Sequence, residues 1–197
     1  MPLRVISGTA GGLLLKSPKR HALRPTQDRI RGVVFSSLAE TIPGARVLDL
    51  YAGTGSFGIE ALSRGAEKAV FVEQDREAID CIRENLRHCK LTGADVRQGD
   101  ALAYLDQPGE AFDLIFADPP YDKKPGPLNG HPLLAKFAQR LCAKGLIVWE
   151  HFAAQEIEEN PEWDILRHRT YGETGLTFLQ PNSKKKVGVL PIEDLPG

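Results

Sequence analysis

The sequence predicts an α/β fold in which helices cover both faces of a mostly parallel, doubly wound β-sheet. From Arg46 onward, short apolar runs alternate with amphipathic helical segments, the pattern of consecutive βαβ units. The run FDLIFADPPY, residues 112–121, is almost wholly apolar in its first half, as expected of a strand buried on both faces. Residues 164–180 form two strand-like runs around a glycine turn at 172–175, which predicts one antiparallel strand at the end of the sheet.

The N-terminal segment precedes this alternation. LRVISG and LLLKSP flank the turn sequence GTAGG, residues 8–12, which predicts a short β-hairpin. The segment RPTQDRIRGVVFSSLAETIPG predicts a helix with Thr26 as its N-cap and with Pro43 and Gly44 at its end. The apolar stripe of this helix is Ile30, Val33, Val34 and Leu38.

The remaining elements follow in order. We predict strands at residues 46–52, 68–75, 94–100, 112–121 and 145–152, and helices at 57–65, 76–91, 101–107 and 132–145. Three prolines and the lack of any apolar period indicate a flexible tail at the end of the chain. The predicted organisation is an extension over residues 1–45, one main domain over 46–180 and a tail over 181–197.

The composition is that of a soluble globular protein, with 42% hydrophobic residues and a net charge of −1. No apolar run approaches the ~20 residues that span a membrane. The three cysteines have no C-x-x-C spacing and the five histidines form no H-E-x-x-H motif, so we expect a cytoplasmic protein without a metal site. Residues 1–46 hold eight Lys or Arg against two acids, a net +6 that predicts one face meeting a polyanion.

A glycine loop follows the first strand of the main domain. Gly53, Gly55 and Gly58 have the spacing G-x-G-x-x-G, and Glu73 lies twenty residues beyond the first of them. This pattern is typical of dinucleotide-binding folds. Asp49, however, would oppose a pyrophosphate and suits a ligand with a positive centre, and S-adenosylmethionine carries a sulfonium and an ammonium without any phosphate.

Acidic side chains follow the next two strands at the same edge of the sheet. Glu73 is placed to accept hydrogen bonds from a ribose diol, and Asp100 from the adenine amino group, with the backbone N–H of Ala101 nearby. The predicted cofactor-binding residues are Asp49, Tyr51, Gly53, Gly55, Glu73, Gln74, Asp100, Ala101 and Asp118.

The tetrapeptide DPPY, residues 118–121, follows the fourth strand. Its two prolines have fixed φ and no N–H, so their carbonyls are rigid acceptors. A planar base that carries an amine can stack on Tyr121 while its N–H groups donate to Asp118 and to the carbonyl of Pro119. The predicted catalytic residues, which aim the amine at a methyl group, are Asp118, Pro119, Pro120 and Tyr121.

Four stretches together resemble a known family. RPTQDRIRGVVFSSL, VLDLYAGTGSFGIEALSRGA, VFVEQD and DLIFADPPY are similar to segments of the bacterial 16S rRNA guanine-N2 methyltransferases, small-subunit methyltransferase D, over residues 3–180. The resemblance implies a class I, Rossmann-like methyltransferase with a seven-stranded, mostly parallel sheet whose last strand is antiparallel. It also implies S-adenosylmethionine as methyl donor and guanine 966 of 16S rRNA, within the 30S subunit, as target.

An RNA substrate needs a basic surface outside the sheet edge. The N-terminal arginines are the first candidates, and two lysines in the loop after DPPY would close over the target. The predicted RNA-binding residues are Arg20, Arg24, Arg29, Arg31, Lys123 and Lys124. The resemblance further implies a monomer.

Three other interpretations fit parts of the sequence. A DNA or RNA adenine-N6 or cytosine-N4 methyltransferase would share both motifs, but the loop at residues 122–131 is short for a target-recognition insertion. A non-catalytic assembly factor that binds S-adenosylmethionine would not need the intact DPPY segment. An NAD(P) dehydrogenase would need catalytic residues after later strands, and the sequence offers none.

Overall fold

The computed structural model describes residues 3–18, 25–120, 131–158 and 161–182, with residues 25–28 described by their backbone alone. The helices are α1 (Pro25–Ser37), α2 (Ser56–Ser63), α3 (Arg76–His88), α4 (Ala101–Asp106) and α5 (Pro132–Arg140). The strands are β1 (Arg46–Leu50), β2 (Lys68–Glu73), β3 (Ala94–Gln98), β4 (Phe112–Ala117), β5 (Leu141–Phe152), β6 (Trp163–Tyr171) and β7 (Thr174–Pro181). Every strand and helix predicted for the main domain is present.

All seven strands form one sheet in the order β3-β2-β1-β4-β5-β7-β6. The strands β1 to β5 pair in parallel, whereas β7 is antiparallel to both β5 and β6. The predicted antiparallel last strand is therefore confirmed, and it lies inside the sheet rather than at its edge. Strand order reverses between β1 and β4, so the crevice in which α/β sheets bind ligands opens at the carboxyl ends of these two strands.

Two apolar layers cover the sheet because side chains alternate between its faces along each strand. The first core, on the face that carries α1 and α2, includes Ile30, Phe35, Val47, Phe71, Phe116 and Val148. The second core, on the opposite face, includes Leu48, Val70, Ile115, Phe137, Ile147 and Trp149. Residues of the N-terminal hairpin, such as Val5 and Leu15, belong to the first core. The hairpin is hydrogen-bonded to α2 through Glu60 and Ser63 and to α3 through Asn85, so it joins the first core over these helices.

The predicted N-terminal hairpin is confirmed as a short ladder around the Arg4–Leu14 bridge. Its backbone bonds run from Val5 N to Leu13 O at 2.9 Å and from Leu15 N to Leu3 O at 2.8 Å.

Several predicted boundaries are wrong. The helix α1 ends at Ser37 rather than at Pro43 and Gly44, and α5 ends at Arg140 rather than at 145. The elements β1 to β4, α2 and α3 end two to four residues before their predicted limits.

The helix α1 begins at Pro25, so Thr26 lies inside the first turn and is not the N-cap. Proline suits that first position because its φ is already helical and it needs no N–H there. The strand β5 begins at Leu141, not at 145, because Leu141 pairs with Phe112 of β4 and is buried. The strand β7 runs one residue past the predicted boundary at 180, to Pro181.

The longest helices described, α1 and α3, have 13 residues each. Among the described residues, no helix has the length and apolar character needed to cross a membrane.

Candidate active site

The register of the sheet places the ends of β1, β2 and β4 at one level of its carboxyl edge. Leu50 of β1 pairs with Val72 of β2 and with Ala117 of β4. The next residues along the chain are Tyr51, Glu73 and Asp118. Because neighbouring strands lie about 4.8 Å apart, the glycine loop, the end of β2 and the DPP segment border one crevice.

The glycine loop connects β1 to α2. Gly53 and Gly55 have φ values of 53° and 75°, a left-handed conformation that strains other residues. Gly58 is needed for a different reason, because a Cβ at this position would lie 2.3 Å from the ring of Phe71. The helix α2 can therefore pack closely on β2, and its N-terminal N–H groups stand at the crevice.

Asp49 is the buried charge of this site. Its side chain is 3% exposed, and its Oδ2 accepts a hydrogen bond from Gly58 N at 2.8 Å. The pKa of Asp49 is raised to about 8, because burial and, to a smaller extent, the nearby Glu73 raise it by more than the bond from Gly58 lowers it. The carboxyl thus binds the loop backbone, and ionisation is costly unless a positive charge arrives.

Glu73 clamps three backbone groups at the end of β2. One carboxylate oxygen accepts from Gly53 N at 2.8 Å, and the other accepts from Gln74 N at 2.8 Å and Asp75 N at 2.9 Å. Gln74 presents its carbonyl to the side chain of Gln98 at 3.3 Å. Each carboxylate oxygen has two acceptor sites, so Glu73 Oε2 retains capacity for a ligand hydroxyl.

Tyr51 occupies a conformation that is rare for its residue type, with a φ of 59°. Burial raises the pKa of the Tyr51 phenol, and the carboxylate of Asp100 raises it further. Asp100 is exposed and caps α4, since its Oδ1 accepts from Ala103 N at 2.9 Å. Ala101 is the first residue of that helix and is buried. These three predicted cofactor residues therefore meet at one side of the crevice.

The DPP segment begins directly after β4. Asp118 is half-buried, Pro119 is buried and Pro120 is exposed. The structure thus brings Asp118 beside the glycine loop, as the motif predicts. Tyr121, Lys123 and Lys124 lie outside the described residues, as do Arg20 and Arg24.

Of the two remaining predicted RNA-binding residues, only one is at the surface. Arg29 is exposed on α1. Arg31 is 1% exposed, and its Nη2 donates to the carbonyl of Arg4 at 2.5 Å. Arg31 is therefore unavailable to an RNA phosphate, because the hairpin covers it. Its prediction as an RNA contact is wrong.

Sequence reasoning missed Asn85, a buried amide on α3 that joins two parts of the site. Its Nδ2 donates to the carbonyls of Lys16 at 3.0 Å and Thr54 at 3.2 Å, and its Oδ1 accepts from Lys16 N at 2.8 Å. Asn85 thereby ties the hairpin to the glycine loop. The available signal was a polar residue inside the apolar stripe formed by Ile82, Leu86 and Cys89.

A second missed residue is Glu150, a buried acid near the end of β5. Ala117 pairs with Trp149, so Glu150 lies at the level of Asp118 on the neighbouring strand. Within the described ranges, no cluster of three His, Cys, Asp or Glu side chains could hold a metal ion.

The chain resembles known proteins over most of its length. The family model described as "Conserved hypothetical protein 95" matches residues 3–180. Ribosomal RNA small subunit methyltransferase D of Escherichia coli strain K12 is 40% identical over 179 residues, which cover 90% of this chain and 89% of that protein. YlbH of Bacillus subtilis strain 168, also named as an rRNA methyltransferase, is 38% identical over 181 residues, covering 89% of this chain and 97% of YlbH.

A solved structure has the same architecture. The yhhF protein of Escherichia coli superposes with a TM-score of 0.76 at 29% identity, over 93% of this chain and 99% of that one. The sheet order and this likeness identify a class I S-adenosylmethionine-dependent methyltransferase fold. With a family model matched over residues 3–180 and relatives identical at about two residues in five, the chain belongs to the small-subunit ribosomal RNA methyltransferase D family.

Proposed function

We propose that this member of an rRNA methyltransferase family transfers a methyl group from S-adenosylmethionine to the exocyclic N2 of a guanine in 16S rRNA. The observation that carries the proposal is the position of Asp118, Pro119 and Pro120. They follow β4 at the switch point of the sheet and lie beside the glycine loop that follows β1. An amine acceptor site thus borders a nucleoside cofactor site.

The residues at the crevice fit S-adenosylmethionine better than a dinucleotide. Glu73 and Asp100 present two carboxylates to one region of the crevice, where a pyrophosphate would be repelled, and the buried carboxyl of Asp49 lies near Glu73. A sulfonium and an ammonium favour ionised Asp49, and ribose hydroxyls and an adenine amine are donors that Glu73 and Asp100 can accept. The glycine loop lets the ligand approach the backbone closely.

The chain's own residues position the acceptor. When bound, S-adenosylmethionine supplies a methyl group that is attached to a positively charged sulfur, and the rest of the cofactor is the leaving group, a neutral thioether. Asp118 accepts from the guanine amine, and the carbonyl of Pro119 accepts a second N–H. These bonds aim the nitrogen lone pair at the methyl carbon. Positioning of this kind can lower an activation free energy by ~7–11 kcal/mol. As the N–C bond forms and the S–C bond breaks, Asp118 takes the proton that the amine gives up.

Tyr121 completes the proposed acceptor site by stacking on the base. We propose Arg20, Arg24, Arg29, Lys123 and Lys124 as RNA contacts, on charge and on position in the sequence. Guanine 966 of the 30S subunit is the target that the family implies, and a cytoplasmic monomer is the state we expect.

The test is an assay with S-adenosylmethionine labelled in its methyl group, offered in parallel 30S particles, naked 16S rRNA and duplex DNA. Digestion of the labelled product then identifies the modified nucleoside. We expect N2-methylguanosine from rRNA. Labelled N6-methyladenine or N4-methylcytosine would show that the alternative amino-methyltransferase assignment is correct. Cofactor binding without methyl transfer to any of these substrates would support the assembly-factor alternative.

A further inference from the structure

The strand β6 forms one edge of the sheet and carries two exposed arginines, Arg167 and Arg169. They pair with Phe178 and Leu176 of β7, whose side chains belong to the first core. Cross-strand partners share a face of a sheet, so both arginines lie on the face that carries α1. Neither was singled out by the sequence.

Arg167 contacts α1 directly. Its Nη1 donates to Ser37 Oγ at 2.7 Å, and Ser37 Oγ in turn donates to Val33 O at 3.0 Å. Arg29 lies one turn before Val33, on the same side of α1, because residues four apart are neighbours on a helix surface. The exposed guanidinium of Arg29 therefore belongs to the same face as the β6 arginines. We call Arg29, Arg167 and Arg169 the edge arginines.

The edge arginines lie along a path from the Arg167–Ser37 contact to the crevice. The strand β6 is parallel to β5, since both are antiparallel to β7, and so it ends at the carboxyl edge. The helix α1 runs the opposite way, because only residues 38–45 separate its end from the amino end of β1. From the Arg167–Ser37 contact, Arg169 lies about 7 Å along β6 and Arg29 about 12 Å along α1, both toward the site.

The charge of the edge arginines is uncompensated within the part of the chain that the structure describes. None of the three makes an ion pair there, and neither β6 arginine pairs with Asp164 of the same strand. Two other exposed arginines, by contrast, are paired: Arg97 on the opposite edge strand, β3, binds Asp95 at 2.8 Å, and Arg83 lies 3.6 Å from Asp80. Arg167 and Arg169 each use one N–H on a neutral oxygen, of Ser37 and of the His168 carbonyl, and no carboxylate of the described residues neutralises their charge. A row of guanidinium groups without a carboxylate partner is suited to a phosphate backbone.

We infer that the edge arginines bind the RNA backbone and extend the RNA-binding surface from α1 across to β6. The inference rests on the proposed function, because it supplies the phosphate contacts that hold an rRNA over the crevice. It also replaces the buried Arg31 with two arginines that a phosphate can reach.

The test is the double variant Arg167→Gln and Arg169→Gln, compared with Arg97→Gln on the opposite edge strand. Binding to naked 16S rRNA and to 30S particles is measured from about 50 to 200 mM salt. We expect the double variant to lower the slope of log K against log salt by about one for each arginine. We expect the affinity of Arg97→Gln for RNA and the S-adenosylmethionine affinity of both variants to remain unchanged.

Two further variants separate charge from packing. Ser37→Ala removes the contact with Arg167 but leaves the guanidinium, so RNA binding should persist. The double variant Arg167→Lys and Arg169→Lys keeps both charges and should retain the wild-type salt slope. Loss of binding in Ser37→Ala with no loss in the double Gln variant would overturn the inference.

The outcomes also distinguish the inference from the function on which it rests. If the wild type methylates rRNA and the double Gln variant binds it with unchanged affinity and slope, the inference fails and the proposed function stands. A loss confined to 30S particles would overturn the inference by showing that β6 docks on a ribosomal protein, for which the exposed Ile165 and Leu166 are suited. If the wild type neither binds nor methylates rRNA, the proposed function itself fails, and the inference with it.

Discussion

The carboxyl of Asp49 accepts a hydrogen bond from Gly58 N at 2.8 Å, and this bond joins the buried end of β1 to the first turn of α2. A neutral carboxyl and a carboxylate can both accept it. The bond therefore holds the glycine loop whether or not Asp49 is ionised. Protonation of Asp49 changes the charge of the site without opening the loop.

The first prediction concerns the pH dependence of cofactor binding. Because the pKa of Asp49 is about 8 in the folded protein, a positively charged ligand should bind more tightly as pH rises through that value. Asp49→Asn keeps an acceptor for Gly58 N but carries no charge, so its affinity should be lower above pH 8 and independent of pH. Calorimetric titration with S-adenosylmethionine on both proteins measures this. A pH dependence that survives in Asp49→Asn would have to come from another group.

The raised pKa of Asp49 also predicts how the stability of the fold depends on pH. The folded pKa of about 8 lies above the ordinary value of 3.8, so the folded chain keeps a proton that the unfolded chain releases. The resulting stabilisation is fully present below about pH 4 and is lost as pH rises through 8. Between pH 5 and 9, the melting temperature should therefore fall less with rising pH for Asp49→Asn than for the wild type. An equal fall in both proteins would contradict the raised pKa of Asp49.

Gly58→Ala should destabilise the fold. Its new Cβ would lie 2.3 Å from the buried ring of Phe71, and overpacking of this kind costs about 1–3 kcal/mol. Gly32→Ala is the matched control, because nothing lies within 4 Å of its Cβ position inside α1. Gly32→Ala should stabilise the protein by about 0.5–1 kcal/mol, because alanine is more favourable than glycine inside a helix. Urea unfolding gives both free energies, and a neutral effect of Gly58→Ala would mean that α2 can move away from β2.

Asn85→Leu should loosen the N-terminal hairpin. It removes the Asn85 partner of Thr54 O and Lys16 N, at a cost of about 1–3 kcal/mol, and leaves Lys16 O with the thiol of Cys81 as its donor. Hydrogen exchange of the hairpin amides, Val5 N among them, should become faster. Arg83→Leu, on the exposed side of the same helix, removes only a surface ion pair and should cost under about 1 kcal/mol. Unchanged exchange in Asn85→Leu would show that the hairpin is held by its apolar contacts alone.

Asp118→Ala should retain S-adenosylmethionine binding and lose methyl transfer. Removing a group that stabilises the reacting centre typically lowers turnover by ~10²–10³. Asp106→Ala, an exposed acid that pairs with Lys136 on α5, serves as the control and should turn over like the wild type. Single-turnover transfer to rRNA and equilibrium cofactor binding measure the two effects separately. Near-wild-type transfer by Asp118→Ala would remove this residue from the proposed mechanism.

The order of elements and the location of the crevice could be predicted from the sequence because both depend on local patterns. Apolar runs gave the strands, and residues that follow parallel strands must meet at one edge. The contacts of Glu73 could not be predicted in this way. They require the register between β1 and β2 and the left-handed turn at Gly53, which together point one N–H of the loop at the carboxylate.

Long-range packing accounts for the errors. Arg31 was expected at the surface because it is charged and lies on a helix, but the hairpin closes over it and supplies the carbonyl of Arg4. Arg167 and Arg169 were missed for the converse reason. Arg167 and Arg29 are far apart in sequence, and only the insertion of β7 between β5 and β6 brings their elements together.

That insertion also sets an order of assembly. Among the strands that the structure describes, β6 pairs with β7 alone, so it cannot join the sheet until β7, which follows it in the chain, has paired with β5. During synthesis, the apolar flank of β5 therefore remains open until residues up to Pro181 have left the ribosome. A chain that stopped before Thr174 would lose β7 and with it the attachment of β6. Such a nascent chain would expose an unpaired strand edge, a surface prone to aggregation.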